Sequence, residues 1–234
     1  MTPLKTLTAA AALTLSLAAH AAPVFNLFEL GVQPSQAARY NQIGEHNIRT
    51  SVTDEAGTLA MYSVKGKEFN YMAEIYADEA AYQKHLKSPQ YKAFLTASPQ
   101  ILTEHKKKIE LLPQFLGDKK VEQTADTLTN LVIVNVKPEH NQAFARIVRD
   151  EMVQSLNVED GVRAIYAATA KEEPNRWYFF EIYASEPAYQ QHRQTLHFQS
   201  YLKETAVMLQ AKKAVNIIPQ TLMNKGGLAF DNVK

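Results

Sequence analysis

Two carboxylate–imidazole pairs stand out by residue type and spacing: Glu74 with His85, and Glu181 with His192. Each lies in the same frame, E-I-Y-A-D-E-A-A-Y-Q-K-H from Glu74 and E-I-Y-A-S-E-P-A-Y-Q-Q-H from Glu181, identical at nine of twelve positions and 107 residues apart. Both glutamates sit in apolar strands, M-A-E-I-Y and F-F-E-I-Y, where an unpaired carboxylate is costly and needs a partner. His85 and His192 fall on the inward stripe of the helix that follows, so a Glu–His hydrogen bond is expected in each copy. A carboxylate that orients an imidazole makes it a better general base. The same bond also serves as a clamp between helix and sheet, the reading that its presence in both copies favours.

A repeat of this length means that one structural unit is written twice. Before the motif, the first copy reads as a strand Phe25 to Val32, a helix Ala37 to Ser51 begun near Pro34, and a hairpin Thr58 to Val64 and Phe69 to Tyr76 entered through the Asp54-Glu55-Ala56-Gly57 turn. A helix capped by Asp78, a second from Ser88-Pro89 to about His105, and a strand Ile109 to Leu116 complete it. The second copy follows the same order from Asn130, first at an offset of 104, then at 107 after three extra residues near Lys171 to Arg176.

The expected units are residues 22–117 and 128–223, joined by a polar linker at 118–127 and followed by a polar tail at 224–234. Each unit is β-α-β-β-α-α-β, an α+β layer with helices on one face of an antiparallel sheet. The strands Phe25 to Val32 and Trp177 to Tyr183 are apolar on both sides, so the other sheet face also needs a cover, and the other copy is the obvious one. Two sheets packed face to face then form a barrel-like pseudo-dimer within one chain; further oligomerisation stays open.

Residues 1–21 contain Lys5, an apolar run from Leu7 to Ala19, and Ala19-His20-Ala21, the three parts of a cleavable secretory signal. Cleavage after Ala21 and a periplasmic or secreted product are expected. No later stretch is apolar for the roughly 20 residues of a membrane span. With no cysteine among 234 residues, disulfides and metal-thiolate sites are excluded. Lys5 is the only charge in the signal, so the remainder is formally neutral, and nothing steers it to nucleic acid.

The frame E-x-Y-x(5)-Y-x(2)-H, with a glycine-led hairpin before it and an aromatic helix after it (Tyr91 and Phe94; Phe198 and Tyr201), resembles the antibiotic biosynthesis monooxygenase family, including quinol monooxygenases of the YgiN type. The resemblance implies ferredoxin-like units paired as a dimeric α/β barrel. It also implies oxidation of a phenol or quinol by molecular oxygen without a cofactor, although some relatives degrade haem and others have no established activity. A non-catalytic apolar-ligand binder or stress factor is the alternative; a haem-degrading relative is less favoured, because Trp177 falls early in its strand.

On the monooxygenase reading, His192 is the base, Glu181 orients it, and His85 with Glu74 is the first-copy equivalent. Trp177, Phe179, Glu181 and Tyr183 share one strand face, against Asn70, Met72, Glu74 and Tyr76 in the first copy, so the second copy is the more aromatic. A flat ring would pack there, with Asn130 as polar contact and Asn26 as its counterpart; Trp177 and Phe179 read equally well as core. Tyr166 and Tyr62, paired across the copies, either donate to an oxyanion or cap the core. His46, His105, His140 and His197, the last set against Ala93, are expected in solvent. No cluster has metal-ligand spacing, and no G-x-G-x-x-G or G-x-S-x-G is present.

Overall fold

The computed structural model describes residues 22–233; the secretory-signal reading concerns residues outside that range. The first unit runs β1 (Val24–Val32), α1 (Ala37–Asp54), β2 (Thr58–Gly66), β3 (Asn70–Tyr76), α2 (Glu79–His85), α3 (Pro89–Ile101) and β4 (Leu102–Asp118). The second runs β5 (Leu128–Val136), α4 (Asn141–Val158), β6 (Val162–Ala170), β7 (Arg176–Tyr183), α5 (Glu186–Gln194), α6 (Leu196–Thr205), β8 (Leu209–Val215) and β9 (Ile217–Asn224), with a short β10 (Ala229–Asp231) after it. None of the described helices is long and apolar enough to cross a membrane.

The short helices are started by their caps. Asp78 and Ser185 accept from the backbone N–H of Ala81 and Ala188, and Ser88 and Thr195 do the same for α3 and α6, satisfying donors that a helix start leaves free. Gly57 and Gly161 let these helices seat on the hairpin. A Cβ at either would lie 2.4 or 2.5 Å from the methyl of Ala81 or Ala188, respectively.

The described strands form one antiparallel sheet in the order β8-β5-β7-β6-β4-β1-β3-β2-β9, with β10 on β4. The first half of β4 pairs with β1, and its second half crosses to pair with β6 of the other unit. In the second unit β8 pairs with β5 and β9 crosses back to β2. Only Asn216 separates β8 from β9, so the two ends of the sheet are halves of one chain segment and the sheet closes into a barrel. Pro113 and Pro219 sit beside the register shifts of the crossing strands, where a residue without an N–H is tolerated.

Alternation along the strands sends one set of side chains into the barrel and the other under the helices. Inside, Phe25, Leu27, Tyr62 and Ile75 meet Leu131, Tyr166, Phe180 and Ile182. Outside, Trp177 and Phe179 pack with Val134, Phe144, Val148 and Met152. Two such ferredoxin-like layers sharing one inner core are the expected α+β barrel, made as one closed sheet.

Three expectations need correction. Helix α3 stops at Ile101, and Leu102 to Lys108 are strand, because pairing with β1 overrides a lysine-rich stretch that reads as helix. The linker is packed: Val121 is buried in the barrel core and its N–H donates to Asn224. The tail contains β10, with Leu228 and Phe230 against the same core.

Candidate functional site

In each unit a polar layer lies between the outer face of the sheet and the helices. In the second unit its members come from β5 (Asn130), β7 (Glu181, Tyr183), α4 (Glu151, Ser155), the residue that ends α4 (Glu159), α5 (His192) and α6 (His197, Tyr201).

The Glu–His bonds expected from the motif are not formed. His192, 1 % exposed, places Nδ1 3.1 Å from Glu159, and His85 places Nδ1 3.1 Å from Glu55. Glu181 instead accepts from the Tyr183 hydroxyl at 3.0 Å and from Asn130 Nδ2 at 3.2 Å, and Glu74 accepts from the Tyr76 hydroxyl at 2.8 Å. The tyrosine two residues on lies on the same strand face as the glutamate and reaches it first. Its ring then stands between sheet and helix, 5.3 Å from the imidazole in both units. Glu55 and Glu159 were missed within turn-like sequence, although they recur at the 104-residue offset.

His197 also lies in this layer, against the expectation that it is solvated. Its Nε2 is 2.7 Å from Glu159 Oε1. After the insertion its counterpart is Gln90 at offset 107, not Ala93, and Gln90 Nε2 donates to Glu55 at 2.6 Å. His105, likewise expected in solvent, is half-buried, stacks on Phe69 and pairs with Glu29.

The units also diverge about two helix turns before Glu159. Glu151, 7 % exposed, accepts from Ser155 Oγ at 2.6 Å and lies 3.9 Å from His192 Nε2. Its counterpart is Asn47, and there His85 Nε2 is buried with no partner among the described residues. Burial drives Glu151 up to about 8, with nearby Glu181 and Glu159 adding to the effect and the Ser155 bond opposing it. Burial likewise raises Glu74 to about 7, against the opposing Tyr76 bond. For Glu159 burial is outweighed by hydrogen bonds from His197 and His192, so its carboxylate stays below the usual range. Burial lowers His85, with Glu55 opposing.

Two clefts reach the second-unit layer. One, of about 380 Å³ between α4 and α6, is lined by Glu151, His197 and Tyr201. The other, of about 530 Å³ at the β8–β9 break, is lined by Asn130, Leu131, Val132, Tyr189, Lys67 and Val215. At the equivalent place in the first unit Lys108 reaches the Tyr82 hydroxyl and Glu110, and Lys171 pairs with Glu110 at 2.9 Å. Strand registers match Lys108 to Ala214 and Glu110 to Asn216, so the Lys108–Glu110 pair has no counterpart over Asn130 among the described residues, and Lys67, which answers Lys171 at the 104-residue offset, is left lining the cleft. Asn26 is buried there, its amide nitrogen without a partner among the described residues.

The remaining expected ring contacts do not converge on Asn130. Trp177 donates through Nε1 to Asn141 at 2.7 Å and stacks on Phe179, and both rings meet Phe144 edge-on. They fill the core under α4. Tyr166 points into the barrel, on the opposite face of the sheet. Tyr183 and Tyr76 are buried and serve as the partners of Glu181 and Glu74. Spacing in sequence showed no metal-ligand pattern, yet the fold brings ligand atoms of Glu151, His192 and His197 within 4.8 Å of one another.

The full architecture recurs in a proposed monooxygenase from Lactobacillus acidophilus, 28 % identical, with a TM-score of 0.85 over 90 % of this chain and 100 % of that one. A proposed monooxygenase from Fusobacterium nucleatum, also 28 % identical, gives 0.86 over 91 % and 99 %. No curated protein matches. The antibiotic biosynthesis monooxygenase family matches twice, over residues 23–97 and 127–204, once in each unit, and the chain belongs to that family.

Proposed function

We propose that this protein is an exported monooxygenase that oxidises a small phenolic or quinol-type ring with molecular oxygen and without a cofactor, in its second unit. The observation that carries this reading is the open cleft over Asn130, whose first-unit equivalent lies under Lys108, Glu110 and Lys171. Leu131, Val132 and Tyr189 offer an apolar wall for a ring, and Asn130 a polar contact for its hydroxyl. Behind Asn130, Glu181 uses only Oε2 for its two hydrogen bonds among the described residues, leaving Oε1 to take the hydroxyl proton. The resulting phenolate gives electrons to oxygen; one oxygen atom enters the ring as a carbonyl and the other leaves as water with the two hydrogens removed. Glu181 is hydrogen-bonded to the cleft-lining Asn130, whereas His192 is engaged by Glu159, so this reading takes Glu181 rather than the imidazole as the proton acceptor.

Oxygen uptake by the full chain across a panel of phenols and hydroquinones tests the reading. Turnover that falls about 100-fold or more in Glu181→Gln and survives in Glu74→Gln is expected. Absence of uptake by wild type on every member sinks it. Export rests on residues 1–21 and is tested by N-terminal sequencing of the product outside the cytoplasm, where Ala22 is expected first.

A further inference from the structure

The polar layer of the second unit holds a grouping that the monooxygenase reading does not use. Glu151 comes from α4, His192 from α5 and His197 from α6, and their ligand-capable atoms lie within 4.8 Å of one another. His192 Nε2 faces Glu151 Oε1 at 3.9 Å, while its Nδ1 is engaged by Glu159. We propose that Glu151, His192 and His197 bind one divalent first-row transition ion of the zinc or iron(II) kind, and that only the second unit does so.

Four observations support it. Two imidazoles and one carboxylate are a donor set that such ions take, whereas magnesium and calcium prefer oxygen alone. Glu159 contacts both histidines and so occupies the place of the outer carboxylate that orients metal-bound imidazoles. Glu151 and His197 line the cleft between α4 and α6, which gives an ion a way in and leaves a coordination position for water. Donors at about 2.0–2.2 Å from a common ion lie at most about 4.4 Å apart, so small side-chain rotations close the site.

The first unit supplies the internal control. It keeps the imidazole, its carboxylate and the serine (His85, Glu55, Ser51) but has Asn47 for Glu151 and Gln90 for His197. Gln90 bonds to both Ser51 and Glu55, so its amide is engaged within the layer. The backbone frame is shared, and the two side chains that would make a ligand set are the ones that differ.

The experiment is titration of the metal-stripped full chain with Co²⁺, read by its visible d–d absorption, and with Zn²⁺ by calorimetry. One equivalent per chain is expected, with Zn²⁺ displacing Co²⁺ and raising the melting temperature. His197→Gln, which installs the first-unit residue, and Glu151→Gln should each abolish the bands while circular dichroism stays unchanged. Glu159→Gln should weaken binding about 10–100-fold. No saturable binding by wild type, two equivalents per chain, or binding retained in both ligand variants overturns the proposal; none of these outcomes depends on oxygen uptake.

Discussion

The hydroxyl oxygens of Tyr62 and Tyr166, 104 residues apart and at matching places in the two units, meet at 2.8 Å inside the barrel. Tyr166 donates its proton to Asp118 at 2.6 Å, so Tyr62 must be the donor between the tyrosines. Chain order makes this asymmetric, because the residue matching Asp118 is Asn224, which is engaged with Val121 and Lys119. The rings stack on one another and Tyr62 on Phe180, so the contact joins both half-sheets.

Removing the two hydroxyls should therefore have unequal effects. Tyr166→Phe leaves Tyr62 without its acceptor and Asp118 Oδ2 without its donor, Oδ1 keeping the Leu228 N–H, and should lower unfolding stability by about 2–3 kcal/mol. Tyr62→Phe removes only a donor to an oxygen that keeps another bond, and should lower it by about 1 kcal/mol. Urea denaturation of both variants checks the order; equal losses would contradict the assigned donor direction.

The crossed strands make each unit incomplete. Residues 128–233 alone would expose the inner face around Leu131, Tyr166, Phe180 and Ile182 and leave β9 without β2. Such a fragment should pair with a second copy, β9 of one against β6 of the other, restoring a barrel by symmetry. Light scattering after size exclusion should give a dimer or aggregate, and a stable soluble monomer would rule the argument out.

Much of this barrel was legible because Phe25 to Val32 and Trp177 to Tyr183 carry apolar residues on both faces. The start of β4 was not, because Thr103 to Lys108 has the composition of an exposed helix and only partnership with β1 shows it to be strand, nor was the crossing, because the pairing of Leu111 to Asp118 with β6 is a non-local contact that no local pattern carries. The site was legible as a set of residues but not as bonds. Glu181 and Tyr183 share a strand face, yet nothing local says that the tyrosine hydroxyl outcompetes an imidazole from the next helix. Glu159 was hidden in turn-like sequence, and His197 was compared across the wrong offset, which concealed Gln90 as its counterpart.

The aromatic strand face gives a direct check of that distinction. Trp177 is 1 % exposed and packed on Phe144 and Phe179, away from Asn130. Trp177→Ala should cost about 3–5 kcal/mol of stability. Trp177→Phe should cost less and leave KM for any turned-over phenol unchanged, whereas Asn130→Ala should raise KM with little loss of stability. A KM rise in Trp177→Phe equal to that in Asn130→Ala would return the ring pocket to the tryptophan face.

Glu151 should set a pH dependence of stability. Its folded value, up to about 8, lies above the 4.5 of an ordinary glutamate, so the folded state holds a proton that the unfolded state has released. The stability tied to that proton is fully present below about pH 4.5 and falls by up to about 1.4 kcal/mol per pH unit as pH rises toward 8. Glu74, raised to about 7, adds a smaller fall over the lower part of the same window. Glu151→Gln keeps an acceptor for Ser155 and cannot ionise, so its stability in chelator should decline less steeply between pH 5 and 8 and exceed that of wild type at the upper end. Denaturation midpoints across that range check it, and parallel profiles for the two proteins would show that Glu151 is already ionised in the fold.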